Sequence, residues 1–398
     1  MWNAFYPDLD WDAKLYLHTI HSIQAGHDPY QVGISALNAY QSQPALQSHE
    51  RAPVVYMYSP ITIPLLRTIG SFPPILYIWG YWLIYAAGVL AQIWVSMQAT
   101  EPAERRIFVF LAPAAAFFPG LIQVSTLMDG NVAYILYGLV FVTAYLGWRR
   151  GRWSWFYLAT LAVSCCKVPM LSLLAIPVLS ARRQWLPASI TAAAGIALFL
   201  IQPWIWPSSF HNYLSGIELG FSYYHAFGVG PAGLLGYALC DAGLPYHAAS
   251  TVFYVFYALA LFGLLFYLSR QFLDGKLSLR QWMPVLITGV ILLNPRVIEY
   301  DFAPLTLFLA LILFRTIASF AGTKRAIVFS FLFFGAINAA VLLVAPIDTN
   351  YTYLNYIQGF VLIGIAAAGF WNLLRQTRGA IPNRISPAAV PSAIDSGA

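Results

Sequence analysis

The chain reads as a series of long apolar runs separated by short polar punctuation. The runs lie near 74–98, 107–123, 130–148, 185–206, 247–270, 281–294, 302–316, 326–346 and 354–374. Segments this apolar suit membrane-crossing helices, whose backbone polar groups are satisfied internally. Two shorter runs, 153–165 and 168–180, meet at Lys167-Val168-Pro169 and predict two short helices bent there. Residues 53–70 are apolar but broken by Pro60 and Pro64, which predicts interfacial helices rather than a span. Residues 207–246 read as a loop, and the Pro/Ala/Ser-rich end of the chain reads as a disordered tail. The pattern predicts an all-α polytopic membrane protein of about nine spans plus a short re-entrant helix hairpin. Its parts are an outer loop with amphipathic helices over 1–73, a transmembrane domain over 74–374 and a cytoplasmic tail over 375–398.

Charge gives this pattern an orientation. The loops at 99–106, 149–152, 181–184, 269–281, 315–325 and 375–398 hold 16 of the 21 Lys and Arg residues. The positive-inside rule makes that side cytoplasmic. The opposite side receives 11 of the 15 acidic residues and all seven histidines. This split requires 153–180 to enter and return; as one span it would place the later basic clusters outside. The hairpin also carries Lys167 outward, sparing an isolated buried cation. The first 73 residues then lie outside with no helix ahead of them, so a further membrane helix upstream of Met1 is expected.

Composition agrees and narrows the class. With 60% hydrophobic and 9% charged residues the chain is far from soluble-domain composition. The net charge of +6 is a topology signal, not a nucleic-acid signal. The 13 Trp and 25 Tyr suit interfacial belts and sugar-stacking faces. Cys165, Cys166 and Cys240 form no disulfide or metal pattern, and no HxxxH spacing occurs; no cofactor is indicated, and a divalent metal stays open.

The candidate chemistry lies on the outer side. Asp8, Asp10 and Asp12 fall within five residues, followed by Tyr16, Asp28 and Tyr30. Crowded carboxylates raise one another's pKa, which suits a proton acceptor, although the same stretch fits a solvated loop that caps a helix. Tyr56 and Tyr58 precede Ser59-Pro60, and Asn294-Pro295-Arg296 leads to Glu299, Tyr300 and Asp301. Lys167 and Arg296 are isolated cations beside apolar helices, a setting for a lipid phosphate. Each has a plainer role: Lys167 snorkelling or pairing with Asp129, and Arg296 pairing locally with Glu299. Asp28-Pro29-Tyr30 also fits a turn, Asp129-Gly130-Asn131 a turn and cap, and the tyrosines a membrane belt.

In their order along the chain these residues resemble glycosyltransferase family 87, polyprenyl-phosphate-dependent mannosyl- and arabinofuranosyltransferases with the GT-C membrane fold. The resemblance rests on Asp12-x-x-x-Tyr16, Gly26-x-Asp28-Pro29-Tyr30, Tyr56-x-Tyr58-Ser59-Pro60, Gly130-Asn131, Lys167-Val168-Pro169 and Asn294-Pro295 through Tyr300. The chain departs from the family pattern at Ser59, Asn131, Ile298 and Tyr300. The resemblance implies inverting transfer of a sugar from a polyprenyl-phosphate donor to a glycolipid or glycan acceptor, at the outer face of a bacterial inner membrane. It implies Asp12 as general base with Asp10 in reserve, and Lys167 and Arg296 on the donor phosphate. Tyr16, Asp28, Tyr30, Tyr58, Glu299 and Asp301 are then expected around the substrate. A transporter or flippase, or a polymerase or ligase, of lipid-linked glycans is the alternative; it would favour mid-membrane charges on repeated broken helices, or a long late outer loop.

Overall fold

A computed structural model of the chain describes residues 11–42, 55–116, 127, 129–224, 227–344 and 352–379. Among the described residues the fold is entirely helical. Helix α1 is Trp11–Gln24, α2 Pro29–Ser42, α3 Ile63–Gly70, α4 Pro74–Gln98 and α5 Arg105–Ala116. Helix α6 is Ala133–Arg150, α7 Ser154–Cys166, α8 Ala175–Ser180, α9 Trp185–Leu200, α10 Gln202–Ile205 and α11 Pro207–Tyr224. Helix α12 is Pro231–Asp241, α13 His247–Leu273, α14 Leu279–Leu292, α15 Glu299–Phe302, α16 Thr306–Ala321, α17 Thr323–Val344 and α18 Thr352–Gly379. Short 3-10 turns lie at Pro60–Thr62, Val168–Leu174 and Ala303–Leu305.

Proline marks many of the starts. Pro29, Pro74, Pro207 and Pro231 open α2, α4, α11 and α12, where a missing N–H costs nothing. This corrects the loop expected over 207–246: its prolines initiate α11 and α12 rather than interrupt them. Pro60 and Pro64 likewise open the turn and α3 within the expected interfacial stretch. The expected tail starts late, because α18 runs to Gly379.

Among the described residues, five helical segments are long and apolar enough to cross a membrane: Pro74–Gln98, Trp185–Ile205, His247–Leu273, Thr323–Val344 and Tyr353–Arg378. They expose apolar side chains such as Trp79, Leu83, Phe256, Leu332 and Trp371, as lipid-facing helices do. Helix α14 is the opposite case, with every residue from Trp282 to Leu292 buried. At roughly 21 Å it is shorter than a bilayer core, and the irregular backbone that follows it packs inside protein.

One end of the bundle gathers the basic loops. Pro284 lacks the N–H that would bond to the Arg280 carbonyl one turn back. Arg315 fills that gap, donating from Nη1 to Arg280 O at 2.6 Å. Its Nη2 also donates to Ala99 O at 2.8 Å, just past the C-terminus of α4. The same guanidinium grips Glu104 with a fork, Nε to Oε1 at 2.9 Å and Nη2 to Oε2 at 2.6 Å. Arg280 reaches Glu101 at 2.8 Å, and Gln281 reaches Gln376 at 3.2 Å. Tyr157, early in α7, donates to Gln184 Oε1 at 2.9 Å, so both ends of 154–184 meet and the chain doubles back between them.

Arg315→Lys keeps the charge but loses the fork and the two carbonyl contacts. We expect about 1.5–3 kcal/mol of lost stability, read as a lower thermal midpoint in detergent. Burial works to raise the Glu104 carboxyl, but the Arg315 hydrogen bonds and charge outweigh it and leave it below its ordinary value. Its contribution is therefore present above the unfolded glutamate value of about 4.3 and is lost as pH falls through the lower folded value. Glu104→Gln should flatten that acid limb of the stability profile; an unchanged limb contradicts the assignment.

Candidate active site at the aromatic end of the bundle

Helix α6 lies unusually close to α4. A Cβ on Gly138 would meet Gly88 O at 2.7 Å, and a Cβ on Gly88 would meet Tyr134 O at 2.7 Å, so backbone rests on backbone. Gln92 Nε2 fixes the register by donating to Tyr134 O at 2.7 Å. The crossing sets Tyr81 and Tyr85 of α4 beside the start of α6, while Tyr77, four residues earlier on the same face, meets His21 of α1. Tyr81 donates to Gly130 O, and Tyr85 donates to Leu127 O at 2.5 Å. Gly130 adopts φ +69°, a left-handed turn that glycine makes cheaply.

Asp12 sits in the first turn of α1 and is only 6% exposed. Asn131 Nδ2 donates to its Oδ2 at 3.0 Å, a bond that spans 119 residues. The orientation of that amide is fixed, because Asn131 Oδ1 accepts from Ala133 N at 2.8 Å and thereby caps α6. Alongside, Ala13 N donates to Asp129 O at 3.0 Å. Tyr16 and Tyr58 share a hydroxyl–hydroxyl bond of 2.9 Å, and Val132 N donates to the Tyr16 oxygen at 3.2 Å. Burial first, then the Tyr58 and Asp12 charges, holds the Tyr16 phenol well above its ordinary value. Burial and Asp12 do the same for Tyr58. Both phenols therefore stay protonated, and the carboxylate lies among neutral aromatic groups with little water.

The other expected substrate contacts have structural partners. Asp28 Oδ1 accepts from Tyr30 N at 2.9 Å and Gln31 N at 3.2 Å, which caps α2, and Oδ2 accepts from Ser209 at 2.7 Å. Tyr30 is fully buried and donates to the Tyr58 carbonyl. These bonds tie Asp28 to the start of α2 and to α11, and Tyr30 to the Tyr58 carbonyl. Ser59 and Ile61 N both bond Gln202 Oε1, at 2.7 and 3.1 Å, tying the Tyr58-Ser59-Pro60 turn to α10.

A second charged centre lies where two chain breaks meet. Lys167 stands in extended backbone between α7 and the following 3-10 turn. Its Nζ lies 2.5 Å from Asp301 Oδ1 on the one-turn helix α15. Tyr137 donates to the same oxygen at 2.9 Å, and Ile298 N reaches Oδ2 at 3.4 Å. Asp301 is 0% exposed and Lys167 21%. Lys167 thus pairs neither with solvent alone nor with Asp129, and Asp301 is its partner rather than an open sugar contact. Arg296 is half-buried in the preceding loop, where Asn294 Oδ1 accepts its backbone N at 3.1 Å. Asp8, Asp10 and Arg51, and the side chain of Glu299, lie outside the described residues.

The two centres share helix α6. Asn131, just ahead of it, serves Asp12, and Tyr137 serves Asp301; six residues of helix span roughly 9 Å. Tyr81, Tyr85, Tyr137 and Asn131's grip on Asp12 were not foreseen. The i, i+4 run of tyrosines in 77–85 was the available signal. Among the described residues no three His, Cys, Asp or Glu side chains come together to hold a metal ion. No family model, curated protein or solved structure matches the chain.

Removing Lys167 alone strands a sealed carboxylate. Lys167→Ala should therefore cost about 3–5 kcal/mol, seen as a lower thermal midpoint or reduced folded yield. The double variant Lys167→Met with Asp301→Leu should recover most of that loss. Equal damage in both would show that the charges are not what the pair contributes.

Proposed function

We propose that this chain is a glycosyltransferase of the bacterial inner membrane. It moves a sugar from a polyprenyl-phosphate donor to a glycolipid or glycan acceptor at the outer face, as the resemblance to glycosyltransferase family 87 implies. The carrying observation is Asp12: a buried carboxylate, held by Asn131 and ringed by protonated tyrosines, at the aromatic end of an apolar helical bundle. The acceptor hydroxyl attacks the anomeric carbon, its proton passes to Asp12, and the bond to the donor phosphate breaks in the same step. The Asn131 amide and the N-terminus of α1 favour the ionised carboxylate that this step starts from. Lys167, linked to α6 through Asp301 and Tyr137, is the group assigned to the leaving phosphate, with Arg296 in the adjoining loop.

The reading includes about nine spans and a re-entrant hairpin over 153–180 in a GT-C-like bundle. It is supported by the meeting of the basic loops at one end and by the Tyr157–Gln184 contact that closes the hairpin. A second reading, transport of a lipid-linked glycan, is favoured by the Lys167–Asp301 pair at two helix breaks, an arrangement that transporters use.

Transfer from a labelled polyprenyl-phosphate sugar in membranes separates the two. Asp12→Asn keeps size and hydrogen-bond reach, so turnover should fall about 10²–10⁴-fold while donor binding changes little. Normal transfer in that variant moves the base elsewhere, with Asp10→Asn the next to test. Movement of a lipid-linked glycan without any transfer would favour the transporter.

Orientation is checked independently by tags. Tags at 150 and 276 should be cytoplasmic, and one at 244, in the turn between α12 and α13, external. An external tag at 276 would overturn the hairpin and the placement of Lys167.

A further inference from the structure

The Lys167 ammonium is already neutralised where it stands. Asp301 takes one of its donors at 2.5 Å, and the two side chains are unequally placed: that of Asp301 is sealed at 0% exposure and that of Lys167 is 21% exposed. An arriving anion can therefore approach the lysine but not the aspartate. If Lys167 turned away, Asp301 would still hold two donors, the Tyr137 hydroxyl at 2.9 Å and Ile298 N at 3.4 Å. A sealed carboxylate with such donors tolerates losing its cation better than a bare one. Lys167 also stands at φ −139° and ψ 91°, between two helical pieces rather than within either. Trp155 and Leu158, nearer the other end of α7, are exposed apolar side chains.

We propose that Asp301 is a built-in anion that occupies Lys167 until the phosphate of a polyprenyl-linked headgroup takes its place. This rests on the proposed function and adds a control to it: the Lys167 charge is balanced by Asp301 when the donor site is empty and exchanges one anion for another when it is filled. A competitor inside the site lowers apparent affinity by the fraction of time it holds the cation. Removing it should tighten phosphate binding, whereas removing a mere positioning partner should weaken it.

The test is binding to the full chain in nanodiscs of neutral lipid, with polyprenyl phosphate as probe and polyprenol as control. Asp301→Asn keeps the shape and should bind polyprenyl phosphate at least about tenfold more tightly than the parent, the scale of one charge-assisted hydrogen bond. Tyr137→Phe keeps the charge but removes a donor that steadies the released Asp301, so it should bind more weakly. It also serves as the deciding variant if Asp301→Asn does not fold. Polyprenol binding should be the same in all three. Equal or weaker phosphate binding in Asp301→Asn, or unchanged binding in Tyr137→Phe, overturns the inference while leaving the enzyme reading in place. Absence of any preference for polyprenyl phosphate over polyprenol in the parent overturns both. Inorganic phosphate or phosphatidylglycerol competing as well as polyprenyl phosphate would overturn the assignment to a polyprenyl headgroup.

Discussion

The close crossing of α4 and α6 is the constraint on which the rest depends. Gly88 and Gly138 each leave room for the other helix's backbone, and any side chain at either would push them apart. Lipid offers no hydrophobic drive to hold two apolar helices together, so close packing and a buried amide, Gln92 to Tyr134 O, must do it. Because the crossing is tight, the tyrosines of α4 reach the 127–130 turn, and the turn in turn presents Asn131 to Asp12. Six residues further along, Tyr137 of α6 meets Asp301. A single helix thus sets the spacing between a carboxylate suited to accept a proton and a cation suited to a phosphate.

Both centres put charge in surroundings with little water, and each is made tolerable differently. Asp12 lies in the first turn of a helix, accepts from an amide and is faced by phenols that burial keeps protonated. Asp301 is neutralised by Lys167 and steadied by Tyr137. In each case at least one partner comes from irregular backbone, Asn131 in the 129–132 turn in one and Lys167 and Ile298 at the breaks around 167 and 293–298 in the other. Irregular backbone inside an apolar bundle survives only where protein groups satisfy it. The two charged centres and the broken secondary structure therefore coincide for the same reason.

Much of the fold was legible in the hydrophobic pattern. The apolar runs gave the helices, and Lys167-Val168-Pro169 marked the bend between α7 and the 3-10 turn. The acidic stretch led to Asp12, and the Asn294–Asp301 loop to the second centre. What was not legible is pairing at long range. Nothing local says that Lys167 faces Asp301, 134 residues away, or that Asn131 faces Asp12. The structural bonds of Asp28 and Tyr30 were not legible either, because a helix cap and a buried phenol look the same in sequence as a binding pair. Residues 207–246 were misjudged because a proline that starts a helix is read easily as one that prevents it.

The central claim is one displacement step, with a single carboxylate on the acceptor side and a cation on the donor side. Such a step inverts the anomeric carbon, whereas a covalent sugar–enzyme intermediate would retain its configuration. The direct measurement is the anomeric configuration of the first product, by NMR, against that of the polyprenyl-phosphate donor. Inversion is the result the structure predicts. Retention would require a second nucleophilic carboxylate at the reacting carbon and would contradict the role given to Asp12.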